Sequence, residues 1–88
     1  MIRRRVLAQG YVQGVGFRYA VRERARQRGL SGWVSNRHDG SVEAVFEGDD
    51  EAVEALVLFM RQGPRGAEVE TVDVTEEEPQ GLPGFDVR

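Results

Sequence analysis

The sequence predicts a single α+β domain in which two helices cover one face of a β-sheet. Segments with period-two alternation of apolar residues are interleaved with two segments of helical periodicity, in the order βαββαβ. Glycine, proline or an Asp-Gly pair separates most of these segments. The 88 residues contain no internal repeat and no linker, so we expect one domain spanning residues 1–88.

The first strand and the first helix are predicted on either side of a glycine-rich turn. Ile2–Gly10 alternates, with Val6 and Ala8 on one face. Phe17–Arg28 carries apolar residues at helical spacing and ends before Gly29, a common helix stop.

The next two strands are predicted to form a hairpin. Leu30–Asn36 precedes Ser41–Glu47, and the turn between them ends in the pair Asp39-Gly40, which is typical of tight hairpins. Because Ser41–Glu47 alternates strictly, we expect one of its faces to be buried and the other to face solvent.

The remaining elements are a second helix and one or two strands. The helix runs from an aspartate cap to about Gln62 and is stopped by Gly63-Pro64. Val69–Glu76 alternates as a strand, and Phe85–Val87 is a short last strand or a docked tail. Two helices on one face of an antiparallel sheet make a ferredoxin-like α/β sandwich, in which the loop after the first strand approaches the end of the second.

The composition excludes several kinds of site. The chain has no cysteine, which excludes disulfides, thiolate zinc sites and cysteine nucleophiles. No apolar run approaches the roughly 18 residues that span a bilayer, and no apolar segment follows the basic N-terminus as in a secretory signal. We therefore expect a cytoplasmic protein with no membrane partner. The absence of lysine and the single asparagine are compatible with heat adaptation, and GC-rich codon usage gives the same bias.

The formal charge is distributed unevenly. Residues 1–40 hold nine arginines against two acids, whereas residues 41–88 hold three arginines against thirteen acids. A positive first half is predicted to attract small anions. Arg3-Arg4-Arg5 is interpreted as charge on a strand edge, and Glu76-Glu77-Glu78 as a solvated edge.

The turn between the first strand and the first helix has the strongest chemical pattern, Gly-Tyr-Val-Gln-Gly-Val-Gly-Phe-Arg over residues 10–18. Its three glycines allow backbone N–H groups to converge at a helix N-terminus, which predicts an anion site. Arg18 opposes the helix dipole there by roughly 0.3–1 kcal/mol, a conflict that a bound anion would remove. Its planar guanidinium could hold two phosphate oxygens. The alternatives are an ordinary turn without a ligand and a solvated arginine. The glycine spacing matches no nucleotide-binding motif.

Asn36 is the second candidate, because an amide can orient a water molecule without changing its charge. The alternative is a local role in the hairpin turn. No base, nucleophile or metal site accompanies these residues, and His38 is interpreted as a solvated turn residue. Phosphoryl transfer needs mainly positioning and charge stabilisation, and an acyl phosphate releases a stable carboxylate without a general acid.

Three segments, Val12–Arg18, Gly29–Asn36 and Asp39–Glu43, together resemble the acylphosphatase family, and the similarity extends over essentially the whole chain. The resemblance implies a ferredoxin-like sandwich and hydrolysis of the carboxyl–phosphate bond without metal or cofactor. It assigns phosphate binding to Arg18, water positioning to Asn36, and the amide cradle to Gln13, Gly14, Val15, Gly16 and Phe17. Tyr11 departs from the basic residue common in the family, which changes the local charge and leaves the cradle intact.

The expected partners are a small acyl phosphate substrate and inorganic phosphate, as product and competitive inhibitor. RNA-recognition motifs share the βαββαβ order, but the third strand offers Ser41, Glu43 and Val45 where they carry stacking aromatics, and the sequence pI is about 5.1. We therefore expect no nucleic-acid partner. An anion-sensing module without catalysis remains as an alternative. A related domain begins large hydrogenase-maturation proteins, whereas this chain has 88 residues, which favours a free-standing, monomeric enzyme.

Overall fold

The computed structural model describes all 88 residues. Its elements are β1 (Ile2–Tyr11), α1 (Phe17–Gln27), β2 (Ser31–Asn36), β3 (Val42–Gly48), α2 (Asp50–Gln62), β4 (Glu68–Glu77) and β5 (Phe85–Val87). Each predicted element is present with bounds that differ by at most one residue, and the last segment is a strand. The ferredoxin-like α+β sandwich is confirmed.

The five strands form one sheet in the order β4-β1-β3-β2-β5. The pairs β1–β3, β1–β4 and β2–β3 are antiparallel, as predicted, whereas β5 pairs with β2 in parallel and makes the sheet mixed. The connection after β4 crosses the helix-free face of the sheet, because three of its amides bind the Glu47 side chain of β3. The chain therefore arrives next to the beginning of β2, and from there β5 runs in the same direction as that strand.

The core lies between the sheet and the two helices. α1 contacts β2 and β5, and α2 contacts β1 and β4, so both helices cover one face. Seventeen buried apolar residues form one cluster, and each large side chain contributes about 1.5–3 kcal/mol when it is fully buried. The central members are Val6, Ala8, Val21, Val34, Val42, Ala44, Phe46, Val53, Leu56 and Met60. Neither helix has the length and apolarity needed to cross a membrane.

The helix-free face holds a buried ion pair that corrects three predictions. Arg3 and Glu47 are 3% and 1% exposed, and Arg3 Nη1 lies 2.6 Å from Glu47 Oε2. Glu77 accepts hydrogen bonds from Arg3 and Arg5 at 2.7 and 2.8 Å. The arginines are therefore not edge charges, since β1 is a central strand, and Glu77 is not merely solvated. The outward face of β3 is not open to solvent at Val45 and Glu47.

The loop that joins β4 to β5 (residues 78–84), here called the covering loop, accounts for the ionisation of Glu47. Burial by itself would raise the pKa of this carboxyl group, but hydrogen bonds from Arg3 and from the amides of Gln80, Leu82 and Gly81 outweigh it and hold the pKa below its usual range. Hydrogen bonds from Arg5 and Arg3 likewise lower the pKa of Glu77. Both carboxyl groups are therefore more strongly ionised than free ones.

Candidate active site

The candidate site lies at the edge of the sheet where β1 and β2 end. These strands run parallel to one another with β3 between them, so their carboxyl ends meet at one edge. Val42 of β3 pairs with Ala8 on one side and with Asn36 on the other. Ala8 therefore lies two strand spacings, or about 10 Å, from Asn36, and the glycine-rich loop begins four residues after Ala8 at the same edge of the sheet.

The loop from Val12 to Gly16 turns sharply through two glycines. Gly14 and Gly16 have φ angles of +76° and +75°, which side chains rarely adopt. Gly16 caps α1, and no side chain hydrogen-bonds to the first amides of the helix. The side chains of Val15 and Phe17 pack on the core, so their contribution at the surface is backbone. The exposed helix start can accept an anion, in agreement with the dipole argument.

Arg18 lies in the first turn of α1 and is partly buried. Its Nη1 donates a hydrogen bond to the backbone oxygen of Arg88, at 3.0 Å. No aspartate or glutamate side chain lies within ion-pairing distance of it. One nitrogen of the guanidinium is thus anchored to the end of the sheet layer, and the other donors are available to a ligand.

Asn36 is the last residue of β2 and projects toward the helices. Alternation along the strand places it on the same face as Val34, which is fully buried in the core. Its carboxamide makes no hydrogen bond within the chain. The hairpin turn is held instead by Asp39, which accepts hydrogen bonds from the amide and the hydroxyl of Ser41. A local turn role therefore does not account for the Asn36 side chain.

One cleft of about 200 Å³ brings these parts together. That volume is below the range of pockets for drug-sized ligands and suits a small anion with part of its substituent. Its lining residues are Val12, Gly14, Gly16, Phe17, Arg18, Tyr19 and Asn36. Of the residues expected at the site, Gln13 and Val15 do not line the cleft. The sequence analysis assigned no site role to Val12 or to Tyr19, whose side chain is 63% exposed.

The Gln13 side chain extends away from the cleft toward the β2–β3 hairpin. Its Nε2 donates to the carbonyl oxygens of Arg37, at 2.8 Å, and Ser41, at 3.0 Å. His38 is exposed in the same hairpin turn. Nowhere in the chain do three or more carboxylate, histidine or cysteine side chains gather in a way that could hold a metal ion.

Comparisons with known proteins agree with this architecture. A family model described as Acylphosphatase matches residues 4–87. Curated relatives named acylphosphatase include one from Haloarcula marismortui, 51% identical over 98% of this chain and 94% of its own length, and one from Thermococcus kodakarensis, 52% identical with the same coverage.

Similar solved structures lead to the same group. A crystal structure of acylphosphatase from Bacillus subtilis superposes with a TM-score of 0.95 at 39% identity, covering 100% of this chain and 99% of that one. Full-length HypF in a phosphate- and nucleotide-bound form has a domain of the same fold. Its TM-score is 0.91 at 27% identity, covering 99% of this chain and 12% of that one.

Proposed function

The chain belongs to the acylphosphatase family and hydrolyses acyl phosphates, and we propose that it does so in the cleft between the glycine loop and Asn36. The observation that supports this placement is the shared cleft itself. Arg18 and Asn36 come from different layers of the fold, yet both line it with donors that the chain does not otherwise use.

The phosphoryl group is bound by the loop amides and by Arg18. Backbone N–H groups between Gly14 and Phe17 converge at the start of α1, and the helix dipole favours negative charge there. The guanidinium holds two phosphoryl oxygens with its free donors. Because these groups are held by the fold before the substrate arrives, they stabilise the charge of the transition state without reorganising.

Asn36 positions the attacking water. Its carbonyl oxygen accepts a hydrogen bond from the water, which aims an oxygen lone pair at phosphorus from the sheet side of the cleft. A bond forms between the water oxygen and phosphorus, and the bond from phosphorus to the acyl oxygen breaks. The water proton passes to a phosphoryl oxygen of the substrate, and the acyl group leaves as a carboxylate. Neither step requires a basic or acidic side chain, so the cleft needs only positioning and charge stabilisation.

Two binding functions compete with this proposal. An anion sensor would need the glycine loop and Arg18, but it gives no role to the uncommitted Asn36 amide. An RNA module would use free aromatic rings on the helix-free face. Trp33 is the candidate there, and its ring is covered by the guanidinium groups of Arg5 and Arg88, 5.5 and 4.7 Å from the ring centroid. Since the cleft is complete within one chain, we also propose that the monomer is active.

The test is phosphate release from acetyl phosphate and benzoyl phosphate in the presence of EDTA. We expect the unmodified protein to be active, and Asn36→Ala to lose about 10²–10³-fold in kcat while its inhibition constant for inorganic phosphate stays within about twofold, as for the loss of one transition-state contact. Arg18→Lys is expected to weaken both activity and phosphate inhibition, because a point charge does not replace a planar fork. Arg28→Lys, an exposed change at the end of α1, is the matched control and is expected to be silent.

Three results would contradict the proposal. Full turnover by Asn36→Ala would remove the water role, and unchanged phosphate inhibition in Arg18→Lys would remove the phosphate ligand. Complete loss of wild-type activity in EDTA, restored by a divalent cation, would mean that the cleft does not act alone.

A further inference from the structure

The side chain of Gln13 makes the one direct hydrogen-bonded connection between the glycine-rich loop (Val12 to Gly16) and the β2–β3 hairpin, which carries Asn36. The ladder between β1 and β3 ends at the pair Ala8–Val42, and no backbone hydrogen bond joins residues 12–16 to residues 36–41. Across this gap, both amide hydrogens of Gln13 are donated, to the carbonyl oxygens of Arg37 at 2.8 Å and Ser41 at 3.0 Å.

These two acceptors are the ends of the hairpin turn. Arg37 directly follows Asn36, and its backbone N–H donates to the Ser41 carbonyl oxygen at 2.9 Å. Ser41 in turn precedes Val42, the residue that pairs with Asn36. The Gln13 side chain therefore contacts both strands of the hairpin, in each case one residue from the Asn36–Val42 pair.

The same geometry removes the side chain of Gln13 from the phosphate ligands and leaves its backbone amide free for the cradle. Its two donors are already used by carbonyl oxygens, and its remaining polar atom is an oxygen, which does not donate to a phosphoryl group. Gln13 is also absent from the residues that line the cleft. Its side chain thus has a connecting role and no ligand role.

We propose that Gln13 is a positioning residue, whose side chain sets the distance between the bound phosphoryl group and the water held by Asn36. This inference rests on the proposed function of the cleft. In-line attack requires the reacting atoms to lie about 3–3.5 Å apart, and a displacement of about 1 Å costs on the order of 10²-fold in rate. Without the two Gln13 hydrogen bonds, the glycine-rich loop and the hairpin are connected only through the start of β3 and the core.

The experiment compares Gln13→Met, which keeps the length of the side chain but has no donor, with the unmodified protein. We expect kcat for acetyl phosphate to fall about 10- to 100-fold, in proportion to a displacement below or near 1 Å. The inhibition constant for inorganic phosphate is expected to change by less than about threefold, because the cradle amides and Arg18 remain. Retained phosphate inhibition also shows that the variant is folded. Gln27→Met, at the exposed end of α1, is the matched control and is expected to leave both values unchanged.

A double-mutant cycle identifies the residue through which Gln13 acts. If it positions Asn36, then Gln13→Met has little further effect on kcat in the Asn36→Ala background. A full additional loss in that background would overturn the inference, as would an unchanged kcat in Gln13→Met alone or a parallel loss of phosphate inhibition. Failure of the proposed function itself is separate, because it is measured by Asn36→Ala with Gln13 intact.

Discussion

The buried ion pair on the helix-free face makes the most quantitative prediction, for the variant Glu47→Gln. This substitution keeps the shape of the side chain but removes its charge. It also places an NH₂ group or an uncharged oxygen opposite Arg3, where the carboxylate oxygen now lies 2.6 Å from Nη1. Three backbone amides of the covering loop lose a charged acceptor at the same time.

The expected loss of stability follows from burial and from the partners that remain. Removing one member of a buried ion pair costs about 3–5 kcal/mol, because the other charge stays buried. Arg3 keeps a second partner, Glu77, at 2.7 Å, so we expect the low end, about 3 kcal/mol. An unfolding entropy of about 2.1 cal/mol/K per residue gives about 0.18 kcal/mol/K for the 88 residues, and hence a fall in Tm of about 16 °C.

The measurement is thermal and urea unfolding at pH 7, followed by circular dichroism. The matched control is Glu76→Gln, since Glu76 also pairs with an arginine, Arg4 at 3.0 Å, but its side chain is 80% exposed. Exposed pairs contribute about 0–1 kcal/mol, so this control is expected to lower Tm by no more than about 5 °C. Equal shifts in the two variants would refute the argument that burial makes the Glu47 pair strong.

Three further predictions concern pH, backbone and substrate. Glu47 and Glu77, which accept hydrogen bonds from Arg3, have pKa values below their usual range, so the stability they contribute is present above about pH 4.3 and is lost as the pH falls through their folded-state pKa values. Urea midpoints measured from pH 7 to pH 3 would show this loss, and a flat profile would contradict it. Gly32→Ala should destabilise the fold far more than Gly14→Ala, because a Cβ at Gly32 would overlap the carbonyl oxygen of Val45. A Cβ at Gly14 meets no atom within 4 Å and costs only about 1–2 kcal/mol of backbone strain, so similar urea midpoints for the two variants would contradict the argument. Tyr19→Ala should raise KM for benzoyl phosphate about 3- to 10-fold relative to KM for acetyl phosphate, because the exposed Tyr19 ring at the cleft can stack on an aromatic acyl group. An unchanged ratio of the two KM values would rule that contact out.

The sequence predicts the elements closely because periodicity and turn residues depend on near neighbours. The pairing of β5 could not be predicted in this way. Three residues, Phe85–Val87, specify neither a partner nor a direction, and both depend on the loop that Glu47 holds on the opposite face. The Arg3–Glu47 pair joins residues 44 positions apart, and its burial depends on that same loop. Such contacts leave no periodic pattern in the chain.

The candidate site divides along the same line. The glycine loop and Arg18 are adjacent in the chain, so a turn, a helix start and a misplaced cation predict an anion site from local sequence alone. The predicted topology already brought Asn36 near the loop, but its role in positioning water rested on the family resemblance, because an asparagine before a turn is also explained by the turn itself. The hydrogen bonds from the Gln13 side chain to the hairpin were not predicted, because their acceptors are backbone carbonyl groups 24 and 28 residues away.

The uneven charge of the chain has a different meaning in the folded protein. The positive first half suggested a broad field that attracts anions, but β1 lies between β3 and β4, which carry the opposing acids. Arg3, Arg4 and Arg5 are each paired with glutamates of those strands. Arg18 pairs with no aspartate or glutamate side chain and lies beside unsatisfied helix amides. Three of the nine arginines of the first half are therefore neutralised within the sheet, and much of the remaining positive charge lies on α1, whose first turn places Arg18 and the free helix amides at the cleft.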